Sequence, residues 1–403
     1  MNYDIVIWGA TSFVGQLVAE RLLNTYGKDQ GVSIAFAGRS KEKLEQLKRS
    51  LHSPDVPILV GDAKDETFIA GLVASTKVVI STVGPYALYG ETLVKACCEQ
   101  GKDYCDLTGE PQWIAQMLHK YENLANTNGA RIINCCGFDS IPSDLGVFWM
   151  QQQAKQDFGE YLQQIRYQFR ASKGGVSGGT IASMVNAIKS IKENPQLAKS
   201  FKTPYALLKN KPVELPFQPN VRSVKKDPES GTYLAPFVMA SINTKIVHRT
   251  NYLDEYQWGK DFLYDEAMCM GKGIKGWYRA TWLTLGLGMF ALAASYGWSR
   301  GLLEKFILPK PGEGPERELV DNGYFNVRMH GQTAQGQKLA IRVKGQGDPG
   351  YGSTCKMISE VAWLLLESNQ HKGKCGFLTP AFAFEHKLVE RLQQRADFTF
   401  EKE

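Results

Sequence analysis

A glycine-containing stretch near the start of the chain has the residue types and spacing of a phosphate-binding turn. It reads GATSFVG over residues 9–15 and separates an apolar run from an amphipathic run. Such a turn presents free N–H groups and the positive end of a helix dipole to phosphate. Ser12 replaces the usual middle glycine but is small enough to admit phosphate, and an ordinary turn is the alternative. The expected dinucleotide contacts are Gly9, Ala10, Thr11, Ser12, Phe13, Val14 and Gly15.

The segment AFAGRSKEKL, which follows the second apolar run, indicates which dinucleotide binds. An NAD-selective site places an acidic residue here to hold the ribose hydroxyls. Arg39, Ser40 and Lys43 instead offer a guanidinium, a hydroxyl and an ammonium group to a 2′-phosphate. The sequence therefore predicts NADP(H) as the cofactor. The alternative is that these cations only decorate an exposed helix start.

Polar and small residues follow several further apolar runs, at points where parallel strands would end. Ligands of open α/β sheets bind at these carboxyl ends. Asp62 is expected near the adenine, and a row after the fourth strand is expected to contact the cofactor: Ser81, Thr82, Val83, Gly84 and Pro85. Two later strand ends complete a functional rim with Asp106, Thr108, Gly109, Glu110, Gly137, Phe138, Asp139 and Ser140.

The proton donor is expected near the same edge, in GPYALYG. Tyr86 and Tyr89 are the candidates, and packing of their rings between domains is the alternative. Asp139 is a third catalytic candidate, and Ser140 beside it is expected to contact substrate, unless both residues only cap the next helix.

The stretch GGVSGGTIASM is expected to open a helix beside the crevice. Thr180 and Ser183 are the expected substrate contacts there, and a flexible hinge is the alternative. Cys135 and Cys136 are interpreted as core thiols rather than nucleophiles.

The elements that must position these residues change character along the chain. Apolar runs alternate with helical periodicity up to residue 158, which predicts a doubly wound, Rossmann-like parallel sheet. The expected strands lie near 3–8, 32–37, 56–60, 77–82, 103–106 and 130–134. Residues 159–403 predict a second, α+β domain on an antiparallel sheet, with strands that include PFVMASINTKIVHRT and helices at the end.

Composition narrows the function further. The chain has 403 residues and a formal net charge of +6, from 47 basic and 41 acidic residues. These charges are interspersed, so no nucleic-acid-binding stripe is predicted. The eight cysteines lack metal-ligand spacing, so no metal site is expected and a reducing, cytoplasmic compartment is favoured. No signal peptide is expected before the first strand.

One apolar segment complicates this picture. Residues 280–298 carry no charge and have basic residues on both sides, within an expected insertion at 277–300. Peripheral association with a membrane or lipid surface is favoured, because a span would separate strands of one sheet. A buried core or dimer helix, and a true span, are the alternatives.

Motifs along the whole chain resemble one family. GATSFVGQLVAERL, STVGPYALYGETLVKAC, YCDLTGEPQW, CCGFDSIPSDLG, ILPKPGEGP, GDPGYGSTCKM and GFLTPAFAF look like the saccharopine-dehydrogenase-like oxidoreductases, in the branch of the trans-acting enoyl reductases. The resemblance implies an NADP-binding N-terminal domain, association of the hydrophobic segment with a membrane or lipid droplet, and a homodimer. Ser12, and His248 where an arginine is common, depart from the family pattern.

The expected reaction is hydride transfer from NADPH to an activated, enoyl-type double bond of a lipid or polyketide-like substrate. A saccharopine-type substrate needs convergent arginines for its carboxylates, but Arg166, Arg170, Arg222 and Arg249 are scattered along the chain. Two alternatives stay open. One is an amino-acid or imine dehydrogenase, and the other is a non-catalytic, lipid-associated scaffold that retains the Rossmann fold.

Overall fold

The structure of the protein is a computed structural model. It describes residues 2–27, 31–175, 178–193, 203–209, 212, 214–296, 314–368 and 373–403.

The strands of the described residues are numbered here in chain order. They are β1 (Tyr3–Trp8), β2 (Ile34–Gly38), β3 (Ile58–Val60), β4 (Thr76–Ser81), β5 (Asp103–Asp106), β6 (Arg131–Ile133), β7 (Gln164–Lys173), β8 (Lys225–Lys226), β9 (Thr232–Pro236), β10 (Leu263–Lys272), β11 (Tyr324–Gln332), β12 (Lys338–Gln346), β13 (Gly376–Leu378) and β14 (Phe398–Lys402).

The helices of the described residues are numbered in the same way. They are α1 (Phe13–Leu22), α2 (Lys41–Ser50), α3 (Glu66–Ala74), α4 (Tyr86–Tyr89), α5 (Glu91–Gln100), α6 (Pro111–Asn128), α7 (Ile141–Phe158), α8 (Gly178–Glu193), α9 (Ala240–Leu253), α10 (Gly273–Ser295), α11 (Arg317–Asn322), α12 (Gly352–Glu367), α13 (Pro380–Phe384) and α14 (His386–Arg395).

The first sheet confirms the predicted doubly wound fold. Its strands are all parallel and lie in the order β13-β6-β5-β4-β1-β2-β3, with helices between consecutive strands. The central strands are apolar because both faces of the sheet are covered, and β2 is buried along its whole length. All six strands expected before residue 158 are present. The seventh, β13, comes from the C-terminal part of the chain and pairs with β6 through Phe377 and Ile132.

The second sheet is mixed. Its order is β14-β12-β11-β7-β10-β9-β8, with β7 and β10 parallel and the other neighbours antiparallel. In β11 and β12 buried residues alternate with more exposed ones, as in a sheet with one covered face. The division at residue 158 remains a prediction, because the chain returns to the first sheet as β13 before it ends in the second as β14.

One strand prediction was wrong. The segment PFVMASINTKIVHRT was expected to be extended, but β9 ends at Pro236 and residues 240–253 form α9. α9 buries Ile242 and Ile246, which lie one helical turn apart, against the first sheet's helices. The apolar residues of this segment fit the helical period about as well as the strand period of two residues, and packing on the helices of the first sheet decides in favour of a helix.

A buried carboxylate joins the two ends of the chain. Glu360 in α12 accepts hydrogen bonds from Arg21 at 2.8 Å, from the Tyr26 hydroxyl at 2.6 Å and from Arg391 at 2.9 Å. These partners come from α1, from the π-helical turn after it and from α14. Because the carboxylate is both hydrogen-bonded and ion-paired, its burial is compensated and it fixes α12 over α1.

Asp144 in α7 makes a second connection of this kind. Its fully buried carboxyl group accepts a hydrogen bond from the Ala381 N–H at 2.8 Å, at the start of α13, and another from the Thr250 hydroxyl in α9. Burial raises the pKa of Asp144 to about 7, against the lowering effect of these two bonds.

The free energy of unfolding should therefore depend on the ionisation of Asp144. Between the unfolded pKa of about 4 and the folded value of about 7, the native state binds more protons, so stability falls as pH rises. Asp144→Asn should remove a slope of at most about 1.4 kcal/mol per pH unit from urea-unfolding measurements across this range. Asp157→Asn, which removes an exposed partner of Lys402 from the same helix, should leave the slope unchanged. Equal slopes in wild type and Asp144→Asn would contradict this assignment.

Candidate active site

The glycine turn after β1 is closely packed against the end of β4. Gly9 has a φ of +88°, and a Cβ atom there would lie 2.6 Å from Val83 Cγ2 and 2.8 Å from Thr82 Oγ1. A Cβ atom on Gly15 would lie 2.3 Å from the Gly9 carbonyl oxygen. Gly9 is therefore required by its positive φ and by the side chains packed against it, and Gly15 by the close approach of the backbone.

Ser12 has a defined function in this turn. It is the N-cap of α1, and its Oγ accepts a hydrogen bond from the Gly15 N–H at 2.9 Å. The same oxygen lies 2.9 Å from Thr82 Oγ1, which ties the turn to β4. The N–H groups of Phe13 and Val14 make no hydrogen bond to another described residue. Two first-turn donors are thus available to an anion, as a pyrophosphate site requires.

A cavity of about 510 Å³ extends from this turn along the carboxyl edge of the first sheet. At the β2 end it is lined by Arg39, Lys43 and Asp62, where the adenosine half of a dinucleotide lies in this fold. The turn, the free donors and these cations fit an NADP molecule. The lining includes these expected cofactor contacts: Gly9, Thr11, Ser12, Phe13, Val14, Arg39, Lys43, Asp62, Thr82, Val83, Gly84 and Pro85.

Four expected cofactor contacts do not line the cavity. Ser40 caps α2, where its hydroxyl accepts the Lys43 N–H at 3.3 Å. Ser81 is buried, and its carbonyl accepts the Tyr86 hydroxyl at 2.9 Å. Ala10 and Gly15 pack in the turn. These four residues support the residues that line the cavity but do not line it themselves.

The two candidate tyrosines have different surroundings, although both line the cavity. The Tyr86 hydroxyl is buried; it donates to the Ser81 carbonyl and accepts the Leu107 N–H at 3.2 Å. Burial raises its pKa well above the usual value. Tyr89 is half-buried, and its hydroxyl makes no hydrogen bond to another described residue. Tyr89 therefore remains the candidate proton donor, whereas the Tyr86 hydroxyl is engaged in holding the loop after β5 to the end of β4.

The remaining candidates are placed as follows. Asp139 and Ser183 line the cavity. Ser140 does not line the cavity. It is fully buried and its hydroxyl donates to Asn243 Oδ1 at 2.9 Å, so we do not propose it as a substrate contact. Thr180 lies in α8, but its side chain is outside the described residues.

Two acidic residues of the expected rim point into the protein instead. Asp106 is fully buried and accepts the N–H groups of Thr108 and Cys135, both at 3.1 Å. It thereby holds Cys135, which has a φ of +62° and lines the cavity. Glu110 is also fully buried, and burial raises its pKa.

Sequence reasoning missed several residues from the second half of the chain. The Tyr351 ring packs edge-on against Phe13 at 4.8 Å, and its hydroxyl accepts the Gly178 N–H at 3.0 Å. Its motif, GDPGYGSTCKM, is conspicuous in the sequence, but no pattern links it to the phosphate turn. Other cavity residues of this kind are Ala182, Met184, Val238, Met239, Ser241, Gly350 and Thr354.

Comparison with known proteins shows the family of the chain. Residues 5–133 match the model of the saccharopine dehydrogenase NADP-binding domain. A Mycobacterium tuberculosis protein named for trans-acting enoyl reduction is 37% identical over 97% of this chain and 95% of its own length. The chain belongs to the saccharopine-dehydrogenase-like oxidoreductases, in the branch of the trans-acting enoyl reductases.

Other relatives of this NADP-dependent oxidoreductase show the same extent of similarity. A trans-acting enoyl reductase of Mycobacterium bovis is 34% identical over 97% of this chain and 96% of its own. One from Mycobacterium ulcerans is 32% identical over 98% and 96%. Among solved structures, saccharopine dehydrogenase from Saccharomyces cerevisiae aligns with a TM-score of 0.57, 11% identity and coverage of 100% and 99%. That last likeness concerns the fold alone.

The 2′-phosphate assignment predicts the behaviour of Arg39→Ala. Loss of a charge-assisted contact should weaken NADPH binding roughly 10- to 100-fold and leave NADH binding nearly unchanged. Fluorescence titration of the nicotinamide measures both affinities. Lys41→Ala is the matched control, because Lys41 is exposed two residues farther along the chain, at the start of α2, and does not line the cavity. An unchanged NADPH affinity in Arg39→Ala would show that the phosphate binds elsewhere.

Proposed function

We propose that this oxidoreductase reduces the carbon–carbon double bond of an enoyl-type substrate that carries an apolar, lipid- or polyketide-like chain. A hydride adds to the β-carbon, a proton adds to the α-carbon, and NADPH becomes NADP⁺. Relatives named trans-acting enoyl reductases over nearly the whole chain support the reaction class.

The observation that carries the substrate proposal is the distribution of charge in the cavity. Among its described lining residues, the cationic ones are Arg39 and Lys43, at the adenosine end. The half of the cavity beyond β4, here called the substrate half, is lined mainly by apolar and small side chains, including Leu107, Met184 and Met239. An amino-acid substrate needs a cation for its carboxylate, and a neutral acyl chain does not. This distribution favours the enoyl substrate over an amino acid.

The protein's own residues bind, orient and protonate. The cofactor supplies hydride transfer when it is bound. The phosphate turn and Arg39 hold the dinucleotide against the sheet edge. The apolar residues of α8 and of the loop before α9 exclude water from the substrate half of the cavity. Tyr89 supplies the proton, since its hydroxyl is available and it lies on the wall beside the Val83–Pro85 segment.

A substrate screen tests the reaction. The purified protein with NADPH is offered α,β-unsaturated acyl thioesters of increasing chain length and, separately, imines and keto acids with ammonia. Oxidation of NADPH is expected with the thioesters alone, and kcat/KM should rise with chain length. Turnover of imines or keto acids alone would favour the amino-acid dehydrogenase, and NADPH binding without any turnover would favour the scaffold.

Tyr89→Phe tests the proton donor. Removal of a general acid should lower kcat by about 10²-fold or more, while the Kd for NADPH stays unchanged because the hydroxyl is not part of the phosphate site. Leu88→Ala is the control, since Leu88 is exposed on the same short helix and does not line the cavity. A Tyr89→Phe variant with wild-type kcat would exclude this role.

A second proposal concerns α10, which contains most of the apolar segment. None of the helices in the described residues has both the length and the apolar character needed to cross a bilayer. The outer face of α10 nevertheless exposes a continuous apolar stripe: Ile274, Tyr278, Trp282, Leu285, Met289 and Leu292. The opposite face buries Gly276, Ala280 and Ala294 against the protein.

We propose that this stripe docks onto an anionic lipid surface. Lys272, Lys275 and Arg279 are exposed at the start of α10, so apolar insertion and charge attraction act at the same place. The helix also packs against α8, which lines the substrate half of the cavity. An apolar substrate held in lipid would thus reach the protein beside its own site.

Co-sedimentation with vesicles measures this docking. The double variant Trp282→Ser/Leu285→Ser should bind phosphatidylserine-containing vesicles roughly tenfold or more weakly, since it removes most of the central apolar area. Phe217→Ser, which removes an exposed aromatic side chain outside the stripe, should bind as wild type. A stable dimer that the double variant alone disrupts would show instead that a second copy of the chain covers the stripe.

A further inference from the structure

One buried carboxylate connects two helices, α4 and α8, that contribute residues to the cavity lining. Glu110 stands directly before α6 and is fully buried. Its Oε1 accepts hydrogen bonds from the Tyr86 N–H at 2.8 Å and from the Ser183 hydroxyl at 2.9 Å. Its Oε2 accepts the Ala87 N–H at 3.0 Å. Two of these donors belong to the first turn of α4, and the third belongs to α8.

A carboxylate in this position is costly. No ion pair to a cation of the described residues accompanies Glu110, in contrast to the buried Glu360 and Asp103. Desolvation of an unpaired carboxylate costs several kcal/mol, which only well-placed donors offset. An apolar side chain would avoid this desolvation cost but would leave all three donors without an acceptor, and an amide could accept with its oxygen only. We attribute the presence of a carboxylate here to its ability to hold these three donors in place.

The two helices that Glu110 connects both contribute residues to the lining of the cavity. α4 carries Tyr89, and α8 carries Ala182, Ser183 and Met184, all of which line the cavity. α4 follows the β4 end, in the first sheet, whereas α8 follows β7, in the second. At its start, α8 is fixed by the Gly178 N–H, which donates to the Tyr351 hydroxyl at 3.0 Å.

We propose that Glu110 is a positioning residue, which fixes α8 relative to α4 through Ser183 and so sets the substrate double bond against Tyr89. Ser183 then acts through its bond to Glu110 rather than as an independent substrate contact. The kinetic part of this proposal rests on the proposed function, and the structural part does not.

The chain offers matched variants. Glu110→Gln conserves size but replaces one oxygen by an NH₂ group, which faces a donor and loses at least one bond. Ser183→Ala removes only the connection to α8, and Ser183→Thr retains the hydroxyl. Ser75→Ala is the control, because Ser75 does not line the cavity and its hydroxyl donates to the Leu72 carbonyl in its own turn.

A double-mutant cycle tests the coupling on the full chain with NADPH and an enoyl thioester. Ser183→Ala and Glu110→Gln should each lower kcat roughly tenfold, as for loss of a hydrogen bond to a charged group. The double variant should be no slower than Glu110→Gln alone, and Ser183→Thr and Ser75→Ala should behave as wild type. The Kd for NADPH should change less than about twofold in all variants, since none touches the phosphate turn. Multiplicative losses in the double variant would overturn the proposal.

Hydrogen exchange provides a readout that needs no substrate. In Ser183→Ala, amides of residues 178–193 should exchange roughly tenfold faster, with and without NADPH, while those of α6 stay unchanged. Ser183→Thr should exchange as wild type. Unchanged exchange in α8 of the Ser183→Ala variant would overturn the positioning role. If no enoyl thioester were reduced by wild type, the proposed function would fail, and this exchange measurement alone would still decide on the Glu110 connection.

Discussion

The pairing of β13 with β6 is the constraint on which the site depends. It brings the end of the chain back to the first sheet after the second sheet has formed most of its strands. Asp144 fixes this return by accepting the first N–H of α13, and Glu360 fixes α12 over α1. As a result Tyr351, just before α12, packs against the phosphate turn. Without the return of the chain to the first sheet, one side of the cavity would be missing and the carboxyl edge of the sheet would be open there.

Buried carboxylates form the local framework of the site. Asp106 holds the loop that contains Cys135, and Glu110 holds the start of α4. Each is surrounded by backbone N–H groups that would otherwise lack acceptors in the interior. A carboxylate supplies several acceptor positions from one side chain, which explains why acidic residues stand at strand ends without contacting a ligand. At the cofactor end, Arg39 and Lys43 bring two cations to the cavity beside Asp62, as an anionic cofactor requires.

Apolar surface divides into two kinds in this protein. Inside the cavity, Met184, Val238 and Met239 form an apolar part of the lining. On the outside, the α10 stripe leaves large side chains in solvent, with Met289 exposed by 69%. Exposure of a contiguous apolar stripe is unusual for a single folded chain, which is why we propose that it docks onto lipid. Because α8 packs between these two regions, the substrate site and the exposed stripe share one helix as a common wall.

The sequence alone determined the class of fold and the cofactor. The alternation of apolar strands and periodic helices predicted the parallel sheet, since strands covered on both faces must be apolar along their length. Gly9, Ser12 and Arg39 predicted an NADP site because phosphate recognition depends on a local turn and its charges, and these residues lie within 30 positions of one another in the chain.

Only the tertiary structure decided which side chains face the cavity and what each one contacts. Sequence spacing placed Tyr86 and Tyr89 together, but the hydrogen bonds of Tyr86 to Ser81 and Leu107 separate their roles. It also predicted a strand where α9 forms, because the packing partners of Ile242 and Ile246 are distant in the chain. Glu110 and Ser183 are 73 positions apart, and Phe13 and Tyr351 lie still farther apart. Contacts of this range depend on how the two sheets pack together, which no local pattern encodes.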